Sequence, residues 1–171
     1  LLMENNSQNK PISCYILDDE QDAVDRMEIL IGKLDNLEVL GKETDPDRAF
    51  DQILQLKPEI VFLDIVMSNK TGFDVVRAIR KNGFHPRFIF VTAHDNYAIK
   101  AIKTTAFDYL LKPVDIDELK QTIKRYQSIR PMATSVNGDC KPSFESLSGR
   151  EYEILHYLIK GNTSEKIAEA L

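Results

Sequence analysis

The chain has 171 residues, of which 43% are hydrophobic and 29% charged, enough for one packed domain or one domain with a small second one. Its net charge of −5 argues against binding of polyanions by the chain as a whole, and no apolar run approaches the length of a membrane span. Its two cysteines, Cys14 and Cys140, lack the spacing of a zinc site and suit a reducing cytoplasm.

Short apolar runs alternate with longer amphipathic runs along most of the chain. The apolar runs predict five strands, at Ile12–Leu17, Leu37–Gly41, Glu59–Leu63, Arg87–Val91 and Phe107–Leu111. The first, third and fourth runs are apolar at consecutive positions, which is typical of strands covered on both faces. The amphipathic runs predict five helices, at about 21–33, 45–57, 73–82, 97–103 and 115–129.

This alternation predicts an α/β fold of the (βα)5 type. Strands that alternate with helices form a parallel sheet with right-handed crossovers, and the helices cover both of its faces. The natural candidate is a flavodoxin-like, doubly wound parallel sheet with strand order 2-1-3-4-5. We expect this first domain to span residues 11–130.

Beyond this domain the sequence changes character. Residues 131–146 are polar and rich in Pro, Gly, Ser and Asn, without periodicity, and therefore indicate a linker. Ser148 and Glu151 then form a capping-box pattern, Gly161 ends the helix that follows, and a second short helix completes the chain. Residues 147–171 thus predict an all-α fragment that is too small for a stable core of its own.

Polar side chains follow four of the predicted strands, at the sheet edge where open α/β folds carry their chemistry. They are Asp18, Asp19 and Glu20 after the first strand, Asp64 after the third, Thr92 after the fourth and Lys112 after the fifth. Any one of them alone is more often a turn or cap residue, but their joint occurrence favours a functional site. Clustered carboxylates need a cation, and oxygen ligands without His or Cys suit Mg²⁺. A carboxylate beside Mg²⁺, a hydroxyl and a lysine suits phosphoryl transfer, in which the carboxylate can be the nucleophile.

At these residues the sequence resembles the receiver (CheY-like) domain of two-component response regulators. The resemblance covers about residues 12–127 and rests on four segments, Leu17–Glu20, Phe62–Met67, Val91–Ala93 and Asp108–Pro113. It implies a phosphoacceptor signalling protein with a sensor histidine kinase as partner. It also implies that the protein is not an enzyme beyond its own phosphorylation and dephosphorylation.

The resemblance implies roles for the residues at the predicted sheet edge. Asp64 matches the phosphoacceptor. Asp18 and Asp19 match the acidic pair that organises Mg²⁺, with Asp19 as the more direct ligand. The backbone carbonyl of Val66 would complete the protein's share of the Mg²⁺ coordination, to which Asp64 also contributes.

The remaining matched residues are implied to respond to phosphorylation. Thr92 matches the switch hydroxyl that moves toward the phosphoryl group, and Lys112 matches the lysine that pairs with it. Tyr109 matches the switch aromatic, which turns inward on activation. The bond between Lys112 and Pro113 is expected to be cis, as only an X-Pro bond readily is. Phosphorylation would shift a pre-existing conformational equilibrium of the surface formed by the predicted fourth helix, fifth strand and fifth helix. A homodimer could form through this surface.

Ser68, Gly72 and His94 lie close in sequence to the predicted site residues. Ser68 stands where the family often has a proline, so it restores a backbone N–H and predicts a looser loop, whereas Gly72 keeps its expected place. His94 lies two positions after Thr92 and could influence how water reaches an acyl phosphate. The other histidines are better interpreted as ordinary surface residues.

The C-terminal fragment resembles the start of a LuxR-type helix-turn-helix domain. The resemblance rests on Leu147-Ser148 and Arg150-Glu151, then on Gly161 and Ile167-Ala168, and it covers only the first two helices. The recognition helix would begin past Leu171, so we expect the chain to be a truncation with no DNA-binding residues of its own. The intact protein, in contrast, is expected to bind DNA and regulate transcription.

Three other functions fit the sequence less well. A flavodoxin-type electron carrier needs a hydroxyl-rich and glycine-rich phosphate cradle after the first strand, where Asp18 and Asp19 would repel a flavin phosphate. A Mg²⁺-dependent phosphatase would need a second acidic residue, two positions after its nucleophile, to protonate the leaving group, but Val66 occupies that position. An interaction module independent of phosphorylation would have no need for the full set of acidic, hydroxyl and lysine residues.

Overall fold

The computed structural model describes residues 10–93 and 106–130. The strands of this part are β1 (Ile12–Leu17), β2 (Leu37–Glu43), β3 (Ile60–Leu63), β4 (Arg87–Thr92) and β5 (Asp108–Leu111). Its helices are α1 (Gln21–Ile31), α2 (Pro46–Leu56), α3 (Gly72–Lys81) and α4 (Ile116–Ile129). No helix among these is long and apolar enough to cross a membrane.

The five strands form one parallel sheet in the order β2-β1-β3-β4-β5, which confirms the predicted flavodoxin-like topology. β1 pairs with β2 and β3, and β4 pairs with β3 and β5. The register of the β1–β3 pair aligns Leu17 with Leu63, so both strands end at the same level. The residues that follow these two strands are therefore neighbours in space.

Alternate residues of the strands point to opposite faces of the sheet, and each face has its own apolar core. On one face α2 and α3 contribute Ile53, Val76 and Ile79 to the cluster around Val61, Leu63 and Phe90. On the other face α1 and α4 contribute Met27, Leu119 and Ile123 to the cluster around Ile16, Phe62 and Ile89. Burial on both faces explains why these strands carry consecutive apolar residues.

Helix α2 begins where the sequence predicts. The side chain of Asp45 accepts hydrogen bonds from the backbone N–H groups of Asp47 and Arg48, at 2.8 and 3.2 Å, and Pro46 is the first helical residue. The helix ends at Leu56, as a helix before a proline is expected to.

Helix α3 begins at Gly72, one residue earlier than predicted. Thr71 is its N-cap, and the side chains of Thr71 and Asp74 bond reciprocally to each other's backbone N–H groups. This capping box fixes the start of α3 immediately after the loop that follows Asp64.

Other element bounds differ slightly from the predictions. β2 continues to Glu43, two residues beyond its predicted end, and α1 ends at Ile31, two residues before its predicted end. The predicted helix at 97–103 lies outside the described residues, as do His94, Cys140, the linker at 131–146 and the fragment at 147–171.

Candidate phosphoacceptor site

The carboxyl ends of β1 and β3 bring two acidic residues together. Asp18 directly follows β1 and Asp64 directly follows β3. The N–H of Asp64 donates to the carbonyl of Leu17 at 3.0 Å, which extends the ladder between these strands by one bond. Both acidic residues are buried, with 4% of Asp18 and 7% of Asp64 exposed, so they need positive partners.

Lys112 supplies that positive charge from the end of β5. Its Nζ lies 2.7 Å from Oδ2 of Asp18 and 2.7 Å from Oδ2 of Asp64. Its backbone N–H donates to the carbonyl of Thr92 at 2.7 Å, which fixes the lysine beside the end of β4. The peptide bond between Lys112 and Pro113 is cis, as the sequence predicts.

The two charges respond differently to their surroundings. Burial of Lys112 disfavours its charged form, but hydrogen bonds to Asp18 and Asp64 outweigh this effect and raise its pKa. Burial raises the pKa of Asp64, because it too disfavours the charged form. The hydrogen bond and the charge of Lys112 lower this pKa, but by less than burial raises it. The Asp64 carboxylate is thus poorly solvated, with one nearby cation that favours its ionised form.

The second oxygen of Asp64 is held by the backbone of its own loop. Oδ1 accepts hydrogen bonds from the N–H groups of Ile65 and Val66, at 2.6 and 3.3 Å. Gly72 closes this loop, because its N–H donates to the carbonyl of Ile65 at 2.9 Å. A Cβ atom at Gly72 would lie 2.2 Å from the carbonyl oxygen of Asp64, so only glycine fits without a shift of the loop.

Asp19 joins the cluster from the loop after β1. One carboxylate oxygen from each of Asp18, Asp19 and Asp64 can be chosen so that all three lie within 4.8 Å of one another. Three carboxylates at this separation suit a hard divalent cation that keeps several water ligands, as Mg²⁺ does. The chemistry and spacing of the donors fit the predicted metal.

Asp19 is held in place by a residue whose role the sequence did not reveal. Oδ2 of Asp19 accepts hydrogen bonds from both the backbone N–H and the hydroxyl of Ser68, at 2.8 and 2.6 Å. The sequence predicts a looser loop because Ser68 replaces a proline. In the structure this N–H instead donates to Asp19, so the hydrogen bond fixes the loop to Asp19 and does not loosen it.

Thr92 and Tyr109 lie on the two strands nearest Lys112. Thr92 is the last residue of β4 and is fully buried. Tyr109, on β5, is partly buried and packs against the core cluster on the side of α2 and α3. The structure therefore brings Asp18, Asp19, Asp64 and Lys112 into direct proximity, with Thr92 joined to Lys112 through the backbone.

Comparison with known proteins identifies relatives over the same part of the chain. The family described as the response regulator receiver domain matches residues 14–124. The sensory transduction protein LytT of Bacillus subtilis is 36% identical over 114 residues, which make up 67% of this chain and 47% of LytT. The transcriptional regulatory protein BtsR of Salmonella typhi is 36% identical over 119 residues, 70% of this chain and 49% of BtsR. The chain thus spans about half the length of the curated relatives it matches.

Solved structures resemble the chain in the same region. A DNA-binding response regulator of the LuxR family from Staphylococcus aureus superposes with a TM-score of 0.60 at 30% identity, over 68% of this chain and 98% of that one. The signal receiver domain of the putative response regulator NarL from Mycobacterium tuberculosis gives a TM-score of 0.63 at 23% identity, over 71% of this chain and 99% of that one. The latter likeness concerns the fold alone.

Proposed function

The chain belongs to the response regulator receiver domain family, and on that premise we propose that Asp64 accepts a phosphoryl group from a sensor histidine kinase. One observation carries the proposal. Asp64 is a buried carboxylate at the end of a central strand. The Nζ atom of Lys112 lies 2.7 Å from its Oδ2, and the carboxylates of Asp18 and Asp19 lie beside it. Such an arrangement is costly for stability, which is expected where a nucleophile must meet both a metal and a transferring group.

Mg²⁺ is the proposed cofactor. Carboxylate oxygens of Asp18, Asp19 and Asp64 and the backbone carbonyl of Val66 would hold it. When bound, the ion would neutralise charge on the oxygens of the transferring phosphoryl group. These residues supply only oxygen ligands, which fits Mg²⁺ better than zinc or copper.

The proposed transfer forms an acyl phosphate on Asp64. A carboxylate oxygen of Asp64 attacks phosphorus, the phosphorus–nitrogen bond of the kinase phosphohistidine breaks, and the imidazole nitrogen keeps the electron pair. Lys112 then pairs with a phosphoryl oxygen instead of the bare carboxylate of Asp64. Because Lys112 already touches Asp64, this change of partner needs only a small movement of its ammonium group.

The proposed response to phosphorylation involves Thr92 on β4 and Tyr109 on β5. The hydroxyl of Thr92 would donate a hydrogen bond to the phosphoryl group, and Tyr109 would turn inward. The backbone hydrogen bond from Lys112 to Thr92 joins the residue after β5 to the last residue of β4, so a movement of Thr92 would be transmitted to β5. These movements would favour a homodimer through the surface of the predicted helix at 97–103, β5 and α4, which is the predicted fifth helix.

We further propose that the intact protein regulates transcription from the cytoplasm. The basis for this output is the resemblance of residues 147–171 to the start of a LuxR-type helix-turn-helix domain. The relative BtsR is described as a transcriptional regulatory protein, which agrees with such an output. DNA binding is proposed as the means of this regulation, through the recognition helix of such a domain.

The proposal can be tested without knowledge of the kinase. The protein is incubated with acetyl phosphate and Mg²⁺, and the mass of the intact chain is measured with time. The expected result is the addition of one phosphoryl group to the wild-type protein and to Asp51→Asn, which removes an exposed carboxylate on α2. Equal phosphoryl uptake by Asp64→Asn would refute the assignment of Asp64.

A further inference from the structure

We propose that Ser68 is a positioning residue that holds Asp19 in place for Mg²⁺, an inference that rests on the proposed function. Ser68 and Asp19 are 49 positions apart, on the loops after β3 and β1. The backbone N–H and the hydroxyl of Ser68 donate to the same oxygen, Oδ2 of Asp19, at 2.8 and 2.6 Å. This pair of bonds joins the loop that carries Asp64 to the loop that carries Asp19.

The three acidic residues of the cluster are held in different ways. Lys112 contacts Asp18 and Asp64, and the backbone of Ile65 also bonds Asp64. In the described part of the chain, the carboxylate of Asp19 accepts two hydrogen bonds, both from Ser68. The position of Asp19 relative to the other two carboxylates therefore depends on Ser68.

The geometry leaves Asp19 able to bind a cation. Neither bond from Ser68 involves Oδ1, and a carboxylate has acceptor capacity on both oxygens. With Oδ2 already fixed, less side-chain freedom is lost when Oδ1 binds a metal ion. Residues that orient a metal ligand in this way typically change metal affinity by about 10–100-fold when they are replaced. Because Ser68 is exposed to solvent, we expect an effect at the lower end of that range.

The two donors of Ser68 can be removed separately. Ser68→Ala keeps the N–H and loses the hydroxyl, whereas Ser68→Pro loses both donors. Ser68→Thr keeps both donors. We therefore expect Mg²⁺ binding about tenfold weaker for Ser68→Pro, a smaller loss for Ser68→Ala, which keeps one of the two donors, and binding close to wild type for Ser68→Thr.

The test is a calorimetric Mg²⁺ titration of the purified 171-residue chain, which requires no phosphoryl donor. Asn69→Ala is the matched control, because Asn69 is the exposed neighbour of Ser68 in the same loop. Urea unfolding midpoints without Mg²⁺ are compared in parallel. An unchanged midpoint for Ser68→Ala, with weaker binding that Ser68→Thr restores, would support a positioning role.

The outcomes separate this inference from the proposed function. If the wild-type protein binds Mg²⁺, Asp19→Asn does not and Ser68→Ala binds as tightly as wild type, the role of Ser68 is refuted while the metal site stands. Tighter binding by Ser68→Ala would equally refute it. If the wild-type protein binds no Mg²⁺ at all, the proposed metal site fails and the role of Ser68 fails with it.

Discussion

The ammonium group of Lys112 lies 2.7 Å from Oδ2 of Asp64, and this pair joins the end of β5 to the end of β3. The contact offsets the cost of burying the charge for Lys112 but not for Asp64. The pKa of Lys112 is raised because its carboxylate partners outweigh the effect of burial, and the pKa of Asp64 is raised because burial outweighs the lysine. The ionised carboxylate of Asp64 therefore makes the fold less stable, even with its lysine in place.

Asp64→Asn should accordingly change stability in a pH-dependent way. Asp64 has a folded-state pKa above its ordinary value of 3.8, so its ionisation lowers stability as the pH rises through the folded-state pKa. Asn has no such charge, so the variant should gain more stability relative to wild type at pH 7 than at pH 4. The measurement is urea unfolding at both pH values without Mg²⁺.

A second variant provides a control of opposite sign. Hydrogen bonds from the backbone N–H groups of Arg48 and Asp47 lower the pKa of Asp45, whose charge thus adds stability that is lost as the pH falls through its folded-state pKa. Asp45→Asn keeps a capping side chain but should lose stability relative to wild type at pH 7, and lose less at low pH. Identical pH profiles for the two variants would contradict this account of Asp64.

Gly72→Ala should disturb the site through the backbone. The new Cβ would meet the carbonyl oxygen of Asp64 at 2.2 Å, so the loop or the start of α3 must move. We expect a loss of about 1–3 kcal/mol in unfolding free energy, together with weaker phosphoryl uptake by Asp64. Both quantities are measurable, by urea unfolding and by intact mass after treatment with acetyl phosphate.

Gly32→Ala is the matched control for this substitution. Gly32 has φ of −61° and ψ of −13°, and its Cβ would find its nearest neighbour at 3.4 Å, an ordinary contact. This variant should be unchanged or more stable by about 0.4–1 kcal/mol, with normal phosphoryl uptake. Equal effects of the two alanines would show that close approach to Asp64 is not the cause.

Arg130→Ala should loosen the end of α4 from the sheet. The guanidinium of Arg130 donates to both carboxylate oxygens of Glu59, at 2.8 and 2.7 Å, and also to the carbonyl of Lys10 at 3.0 Å. Tyr126 donates to Glu59 as well, at 2.9 Å. Loss of the arginine leaves a half-buried carboxylate with fewer donors, which should cost about 1–3 kcal/mol.

Hydrogen exchange is the most direct measurement of this effect. The last turn of α4 should exchange faster in Arg130→Ala than in wild type, while β1 and β3 keep their protection. Lys124→Ala, an exposed substitution on the same helix, should stay within about 0.5 kcal/mol of wild type. If the two variants behave alike, the contact between Arg130 and Glu59 does not anchor the helix.

The sheet was predictable from sequence because its signals are local. Apolar residues at consecutive positions mark β1, β3 and β4, and Asp45-Pro46 marks the start of α2. The cluster was also predictable, because parallel strands that end level carry the residues after them to a common edge. The grouping of Asp18 with Asp64 could therefore be predicted without knowledge of any contact between distant residues.

The contacts that the sequence did not predict join residues far apart in the chain. The sequence predicts that Ser68 loosens its loop, because no neighbouring residue indicates that Asp19 accepts its N–H. The pairing of Glu59 with Arg130 spans 71 positions and depends on where α4 ends relative to β3. Such pairs follow from tertiary packing, which periodicity and capping patterns do not encode.

The central claim is that Asp64 carries the phosphoryl group, and chemical trapping tests it most directly. The protein is phosphorylated with acetyl phosphate and Mg²⁺, reduced with borohydride, digested and sequenced by mass spectrometry. Reduction of an aspartyl phosphate releases phosphate and leaves homoserine at the modified position. The account predicts homoserine at position 64 and none in a sample without acetyl phosphate. Homoserine at position 18 or 19, with Asp64 unmodified, would contradict it.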